Sequence, residues 1–241
     1  MPTLANGQRS VLIVVTDRVN TPNPRLLSAW LIVYVPTEPR LTYLPIYPAE
    51  AETDWQLSKS FHLNKQRGPG GEISIHKSFL DVLQERDLWW SGYLVLDRDT
   101  IAEIGEYFLA SEPSLQQADR AGVLFESESH ALVQTAAEMD GSRDDPAHEI
   151  ILKALSEGSG SSQEIIQTQA ALYQEMCRDL SASKDGDDFE FLRRVFTQSP
   201  GHMGTDLNIE QIITELKNLR DAKSVLFCDF PTLSLQTIIS N

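Results

Sequence analysis

Residues 11–48 read VLIVVTDRVNTPNPRLLSAWLIVYVPTEPRLTYLPIYP, and this stretch decides the fold. Val11 to Val15 is an unbroken apolar, mostly β-branched run, which predicts a buried strand. The run ends abruptly at Thr16-Asp17-Arg18, so polar side chains stand at the carboxyl end of that strand. Residues 19–25 contain two prolines that fix φ and remove backbone donors, and they therefore predict an irregular loop.

The second half of the stretch predicts an antiparallel hairpin. Ala29 to Val35 is a second buried strand, and the turn over residues 36–39 leads back into a third strand over Leu41 to Ile46. Pro45 cannot donate to a ladder, so it places the third strand at a sheet edge or marks a bulge.

The rest of the chain alternates between helical patterns and a few further strands. Tyr93 to Leu96 predicts a strand, Thr100 and Glu103 form a capping box for the next helix, and Asn208 is the expected cap of a late helix. Strand character returns at Val225 to Phe230, and this last strand must rejoin the first sheet to find hydrogen-bond partners.

We therefore expect one α/β domain over residues 1–241. Its architecture is a three-layer sandwich, with a mixed central sheet and helices on both faces. Residues 1–10 are expected to be a flexible N-terminus, and the Gly/Ser run at 158–162 an internal linker.

The bulk composition excludes several classes of protein. The net charge is −15, which argues against a nucleic-acid partner, because such proteins need clustered Lys and Arg. No run of about 18 apolar residues occurs, so we expect no transmembrane segment. Cys177 and Cys228 lie 51 positions apart without metal-ligand spacing, and we expect two buried, inert thiols rather than a disulfide or a zinc site.

The order and spacing of several short segments resemble the LytR-CpsA-Psr (LCP) family. Thr16-Asp17-Arg18 looks like the first turn of that family, and Leu44 to Ala49 stands where its Ile-Pro-Arg-Asp motif would be. Residues 93–108 are similar to its strand-then-helix unit, and Thr205-Asp206-Leu207 is similar to a late Thr-Asp-Leu cap. LCP proteins are usually anchored outside bacterial membranes, where they transfer glycopolymers from a polyprenyl-pyrophosphate carrier to the cell wall. The resemblance implies an LCP-like fold and a place in cell-envelope glycopolymer assembly.

The resemblance assigns roles to three residues near the first strand. Asp17 and Arg25 are the candidate catalytic residues, and Arg18 and Arg25 are the candidate pyrophosphate ligands. Asp17 is also the candidate ligand for Mg²⁺, which an active site of this type would use against the phosphates. A strand-end turn with a local salt bridge is the alternative for Asp17 and Arg18.

The family also has an apolar cleft for the lipid tail between its sheet and its helices. Phe79, Trp89, Trp90 and Phe108 are the candidate lining of a similar pocket. The alternative is that these aromatic residues fill the core.

Several positions that carry charge in the family are apolar or neutral here. Leu27 follows Arg25 in place of an acidic residue, Ala49 closes the third motif, and Thr168 stands where an Arg-Gln-Gln helix has its arginine. Convergent guanidinium groups supply much of diphosphate binding, and a single lost charge-stabilising donor costs about 10²–10³ in rate. We therefore expect a divergent LCP-like domain without catalytic activity.

Three hypotheses for function remain open. The first is a non-catalytic domain that binds a polyprenyl (pyro)phosphate lipid or a protein partner. The second is an active phosphotransferase or pyrophosphatase with a rearranged site, which would use Mg²⁺. The third is an intracellular interaction module without a ligand. The expected compartment is the cytoplasm if the chain is complete, and extracytoplasmic if a membrane anchor has been removed.

Overall fold

The computed structural model describes residues 7–35, 38, 40–49, 51–65, 73–109, 162–182, 187–198, 201–221 and 227–231. Within these residues the strands are β1 (Arg9–Thr16), β2 (Leu26–Tyr34), β3 (Arg40–Tyr47), β4 (Leu63–Lys65), β5 (Ile73–Ile75), β6 (Gly92–Asp97), β7 (Met203–Thr205) and β8 (Phe227–Asp229). The helices are α1 (Ala51–Ser60), α2 (Lys77–Gln84), α3 (Arg98–Leu109), α4 (Ser162–Ala182), α5 (Asp187–Gln198) and α6 (Ile209–Asp221).

The central sheet of the described chain has the strand order β7-β6-β1-β2-β3-β8, and β4 and β5 form a separate pair. The pairs β1·β6 and β3·β8 are parallel, whereas β1·β2, β2·β3 and β6·β7 are antiparallel. The expected mixed sheet, the hairpin and the return of the last strand are therefore confirmed. Trp30 pairs with Pro45 and Ala29 with Tyr47, so Ile46 is the extra residue of a bulge beside the proline.

Apolar residues cover both faces of the sheet because the central strands bury side chains on both sides. One core, here the α1–α2 core, lies between the sheet and residues of α1, β5 and α2. The other, here the α3–α6 core, lies between the opposite face and α3, α4, α5 and α6. This gives the three-layer α/β architecture that the sequence predicts.

Local sequence explains several helix boundaries. The Asn208 side-chain oxygen accepts a hydrogen bond from the Gln211 amide at 3.1 Å, which confirms the expected cap of α6. Helix α1 occupies a segment whose polar composition did not predict a helix. Strand β1 begins at Arg9, inside the segment expected to be flexible, and α4 begins at Ser162, the last residue of the expected linker; residues 158–161 lie outside the described chain.

The prediction of two unpaired thiols is wrong, because Cys177 of α4 and Cys228 of β8 form a disulfide. Their Cα atoms are 6.5 Å apart, within the range that a disulfide spans. Parallel addition of β8 to β3 brings Cys228 beneath α4, and the spacing of the two cysteines along the sequence gives no sign of that approach. Among the described helices, none combines the length and the apolar character needed to cross a membrane.

Candidate functional site

The strand pairing brings the polar loops of the chain to one edge of the central sheet. β1 and β6 run parallel and end side by side, since Thr16 pairs with Asp97. β2 begins opposite Thr16, and β7 begins opposite Leu96. We call residues 17–25, 97–100 and 201–202 the carboxyl edge. Ligand sites of α/β sheets commonly lie just outside the carboxyl ends of parallel strands.

Asp17 closes the base of the loop over residues 17–25. Its Oδ1 atom accepts hydrogen bonds from the backbone amides of Arg18 (2.7 Å) and Arg25 (2.8 Å). Its own amide donates to the Arg25 carbonyl at 3.1 Å. These bonds hold the two ends of the loop together, so Asp17 has a structural role whatever else it does.

Three arginines lie at this edge. Arg18 and Arg25, the predicted pyrophosphate ligands, are both exposed. Arg98, the first residue of α3, joins them, and its Nε atom lies 3.3 Å from Asp99 Oδ1. The sequence motifs did not identify Arg98, although its position directly after a predicted strand is the kind of pattern that identified Asp17 and Arg18.

Asp97 links α3 to the segment before β7. Its Oδ1 atom accepts from the amide and the hydroxyl of Thr100, at 2.9 and 2.7 Å. Asp97 therefore caps α3. The predicted capping box that begins at Thr100 is wrong because α3 already begins at Arg98. Its Oδ2 atom lies 2.6 Å from Nδ1 of His202. The Asp97 side chain is 4% exposed and that of His202 is 53% exposed, so a buried carboxylate holds an accessible imidazole.

The candidate metal ligand Asp17 does not belong to a preformed metal centre. No group of three or more His, Cys, Asp or Glu residues in the described chain is placed to hold an ion. Asp97 uses both oxygens within the protein, and Asp99 pairs with Arg98. Mg²⁺ is often held by one or two carboxylates together with phosphate oxygens. Asp17 would fit that role only if a phosphate ligand supplied the remaining oxygens.

The positions that depart from the family motifs have structural roles of their own. Leu27 is buried in the α3–α6 core, where an acidic side chain would lose its hydration. The Ala49 amide donates to Asp54 Oδ1, and Asp54 Oδ2 accepts from Ser162 at the start of α4. Burial raises the pKa of Asp54, against the opposing effect of these hydrogen bonds.

Gln169, at the place of the Arg-Gln-Gln helix, is fully buried in α4. Its Oε1 atom accepts from the indole nitrogen of Trp30 at 2.8 Å. Gln169 Nε2, Ser28 Oγ and Tyr173 Oη have no hydrogen-bond partner within the described residues. The Ser28 side chain nevertheless lies close enough to Tyr173 to lower the pKa of its phenol slightly, although burial dominates and raises that pKa to about 12.

Aromatic rings fill the space between the sheet and α4. Trp30 meets Tyr173 edge to face with centroids 5.4 Å apart, and Tyr43 stacks on Phe230 at 4.7 Å. Burial raises the pKa of Tyr43. This part of the interface between sheet and helix is therefore packed core.

The residues predicted to line a lipid pocket do not share one layer. Phe79 is fully buried in the α1–α2 core, and Trp90 packs against the same core. Trp89 is half-buried, and its carbonyl accepts from Ser10 Oγ at 2.8 Å. Helix α3, which carries Phe108, packs on the opposite face of the sheet; the Phe108 side chain lies outside the described residues. A lipid pocket that includes Phe108 stays a prediction for the α3 side alone.

The α1–α2 layer also carries an open groove of about 450 Å³. Trp55, Lys59, His62 and Glu85 contribute to its walls, and none of the carboxyl-edge residues does. Trp55 is 62% exposed, with the Lys59 ammonium 4.5 Å from its ring centre.

Solved structures with a similar fold exist, although sequence comparison finds nothing. No protein-family model and no curated protein sequence matches the chain. TagT bound to LI-WTA aligns with a TM-score of 0.53 at 11% identity, over 94% of this chain and 78% of TagT. TagT bound to LIIa-WTA gives a TM-score of 0.54 at 12% identity over the same shares. TagV of B. subtilis gives 0.51 at 10% identity, over 96% of this chain and 87% of TagV.

TagT and TagV are LCP-family enzymes. At identities this low the similarity concerns the fold alone. The chain therefore has the fold of the LytR-CpsA-Psr family.

Proposed function

We propose that the chain is an LCP-type domain of cell-envelope glycopolymer assembly that binds the diphosphate of a polyprenyl-linked precursor at its carboxyl edge without transferring the polymer. The observation that supports this proposal is that Arg18 and Arg25 belong to the loop that follows β1, and Arg98 to the start of the helix that follows β6, where these two parallel strands end side by side. Guanidinium groups are the donors that pair best with phosphate oxygens.

The LCP-like fold adds the substrate class to this proposal. TagT, with the same fold, has been solved with LI-WTA and with LIIa-WTA. The Cys177–Cys228 disulfide supports an oxidising compartment for this chain, as expected of a protein that works outside the cytoplasm.

The proposal that the chain does not transfer the polymer rests on the positions at which its sequence departs from the LCP motifs. Leu27 is committed to the core, and Ala49 offers only its amide to Asp54. The Oδ1 atom of Asp17 already accepts hydrogen bonds from two backbone amides. An LCP-type transfer site would have charged side chains at the positions of Leu27 and Ala49 to stabilise the transition state. Each missing donor costs orders of magnitude in rate.

Arg98 favours the second candidate, an active transferase or pyrophosphatase with a rearranged site. It supplies one cation at the carboxyl edge that the sequence motifs did not, and in this candidate the carboxylate of Asp17 carries the Mg²⁺. This candidate differs from the first in one measurable respect, the breakage of a phosphoanhydride or phosphoester bond.

The test uses geranylgeranyl diphosphate with Mg²⁺, followed by calorimetry for binding and by ³¹P NMR for bond breakage. We expect the wild type to bind, and the double variant Arg18→Ala/Arg25→Ala to bind at least tenfold more weakly, since a hydrogen bond to a charged group contributes about 1.5–3 kcal/mol. Arg178→Ala is the matched control. Arg178 follows Cys177, whose disulfide partner Cys228 pairs with Leu41 at the end of the sheet opposite the carboxyl edge.

The outcomes separate the candidates. Binding without a new ³¹P signal supports the proposal, provided that geranylgeraniol, which lacks the phosphates, does not compete. Release of a monophosphate that Asp17→Asn abolishes would establish the rearranged enzyme instead, because the asparagine oxygen can still accept from the amides of Arg18 and Arg25. A wild type that does not bind the diphosphate would overturn both and favour an interaction module.

A further inference from the structure

Three features of the structure fix the position of His202 at the carboxyl edge. Asp97 Oδ2 lies 2.6 Å from its Nδ1 atom, and the Asp97 amide donates to its carbonyl at 3.1 Å. Gly201 precedes it with φ +96°, a backbone conformation that side chains other than glycine seldom adopt. The same glycine sits against the side chain of Asn20, so the segment before β7 meets the loop that contains Arg18.

This geometry fixes the chemistry of the imidazole. A carboxylate accepts hydrogen bonds and cannot donate them, so Nδ1 carries a hydrogen and donates it to Asp97. The second nitrogen, Nε2, is then an acceptor in the neutral ring and a donor in the protonated ring. With about half of the His202 side chain exposed, a ligand at the edge can reach it.

We propose that His202 is a phosphate contact of the carboxyl edge, which donates from Nε2 to the ligand while Asp97 holds Nδ1. This assignment rests on the proposed function and adds to it a residue, a positioning partner and a pH dependence. Asp97 acts through His202 and is a positioning residue.

The charged residues of the carboxyl edge belong to three segments. Asp97 ends β6, Arg98 and Asp99 begin α3, and Asp17, Arg18 and Arg25 belong to the loop after β1. Of these, Asp97 is the one bonded to the ring, and Asp99 pairs with Arg98. Only the protonated ring can donate from Nε2, so the contact requires the protonated imidazole and is weaker where that form is scarce.

His202→Asn is the informative variant. The asparagine amide can still donate to Asp97, whereas nothing stands in place of Nε2. Affinity for geranylgeranyl diphosphate is measured at pH 6 and at pH 8 for the wild type and the variant. We expect the variant to bind about tenfold more weakly than the wild type at pH 6, and we expect a smaller difference at pH 8. Comparing the two proteins at each pH removes the effect of the ligand's own titration.

Two further measurements keep the result interpretable. The amide of Thr100 reports whether α3 is still capped, so its hydrogen exchange should be the same in both proteins. In the wild type, the ¹⁵N signal of His202 Nε2 should shift on addition of the diphosphate and not on addition of geranylgeraniol.

Equal affinities of wild type and His202→Asn at pH 6, with an Nε2 signal that does not respond, would overturn the role of His202 and leave the proposed function standing. Absence of binding by the wild type at both pH values would overturn the proposed function and the role of His202 with it.

Discussion

One buried amide joins the longest described helix to the centre of the sheet. Gln169 is fully buried, and it receives the Trp30 indole hydrogen while its own Nε2 finds no partner in the described part of the chain. Trp30→Phe should lower the free energy of unfolding by about 2–4 kcal/mol, because it removes buried volume and leaves both polar atoms of Gln169 unpaired. Urea unfolding followed by circular dichroism measures this.

A second substitution makes this prediction specific. In the Trp30→Phe background, Gln169→Met removes the unpaired amide and should restore about 1–3 kcal/mol. Trp55→Phe, at an exposed tryptophan, should stay within about 0.5 kcal/mol of the wild type. If the double variant is no more stable than Trp30→Phe alone, Gln169 is satisfied by another group and the energetic argument is wrong.

At the scale of elements, strand β8 depends on a covalent bond. Within the described residues β8 pairs with β3 from Arg40 to Thr42, and the disulfide joins Cys228 to Cys177 across a sequence separation of 51. The chain-entropy model gives about 4 kcal/mol for a loop of that length. Replacing both cysteines by serine should therefore lower the free energy of unfolding by roughly 3–4 kcal/mol, as measured in guanidinium chloride.

The control for the disulfide is chemical. Dithiothreitol should destabilise the wild type by a similar amount, have no effect on the double serine variant, and speed hydrogen exchange at residues 227–229. A wild type whose stability does not respond to dithiothreitol would show that the bond contributes nothing.

Local sequence patterns predicted those elements whose cause is local. The apolar runs around Val11–Val15 and Ala29–Val35 predicted strands because few other structures bury both sides of such a segment. Helix α1 was missed because its buried contribution rests largely on Leu57, among polar and exposed residues. The sequence predicted the N-cap of α3 at Thr100 rather than at Asp97 because both side chains can cap a helix. Only the position at which β6 ends decides between them.

The candidate site was predictable only in part, for a related reason. Asp17 and Arg18 stand where the first strand ends, so a local pattern was enough to single them out, and the resemblance to the LCP family added Arg25 and the roles of all three. Arg98 and His202 reach the same edge through a parallel strand and an antiparallel one that lie far along the chain. The two cysteines meet through a similar long-range return. Sequence spacing does not encode such meetings.

At the scale of the whole molecule, folding withdraws tyrosines from solvent. Burial raises the pKa of Tyr173 to about 12 and raises that of Tyr43 further. Burial, and then the hydrogen bond that Tyr34 donates to Glu215 at 2.6 Å, raise the pKa of Tyr34. These are three of the six tyrosines of the chain.

The sign of the resulting pH dependence follows from linkage. A tyrosine whose pKa is higher in the folded state keeps its proton longer there, so the unfolded state binds fewer protons above pH 10. The stabilisation is fully present below about pH 10 and is lost as the pH rises towards 12 and beyond. Tyr43 and Tyr173 each contribute a slope of up to about 1.4 kcal/mol per pH unit, and Tyr34, which is only partly buried, contributes less. Tyr173→Phe should make the free energy of unfolding fall less steeply between pH 10 and 12, by roughly that amount. Stopped-flow absorbance at 295 nm should show about three tyrosines that ionise only on unfolding. If all six tyrosines ionise at once in the folded protein, the aromatic layer between the sheet and α4 is open to water rather than packed.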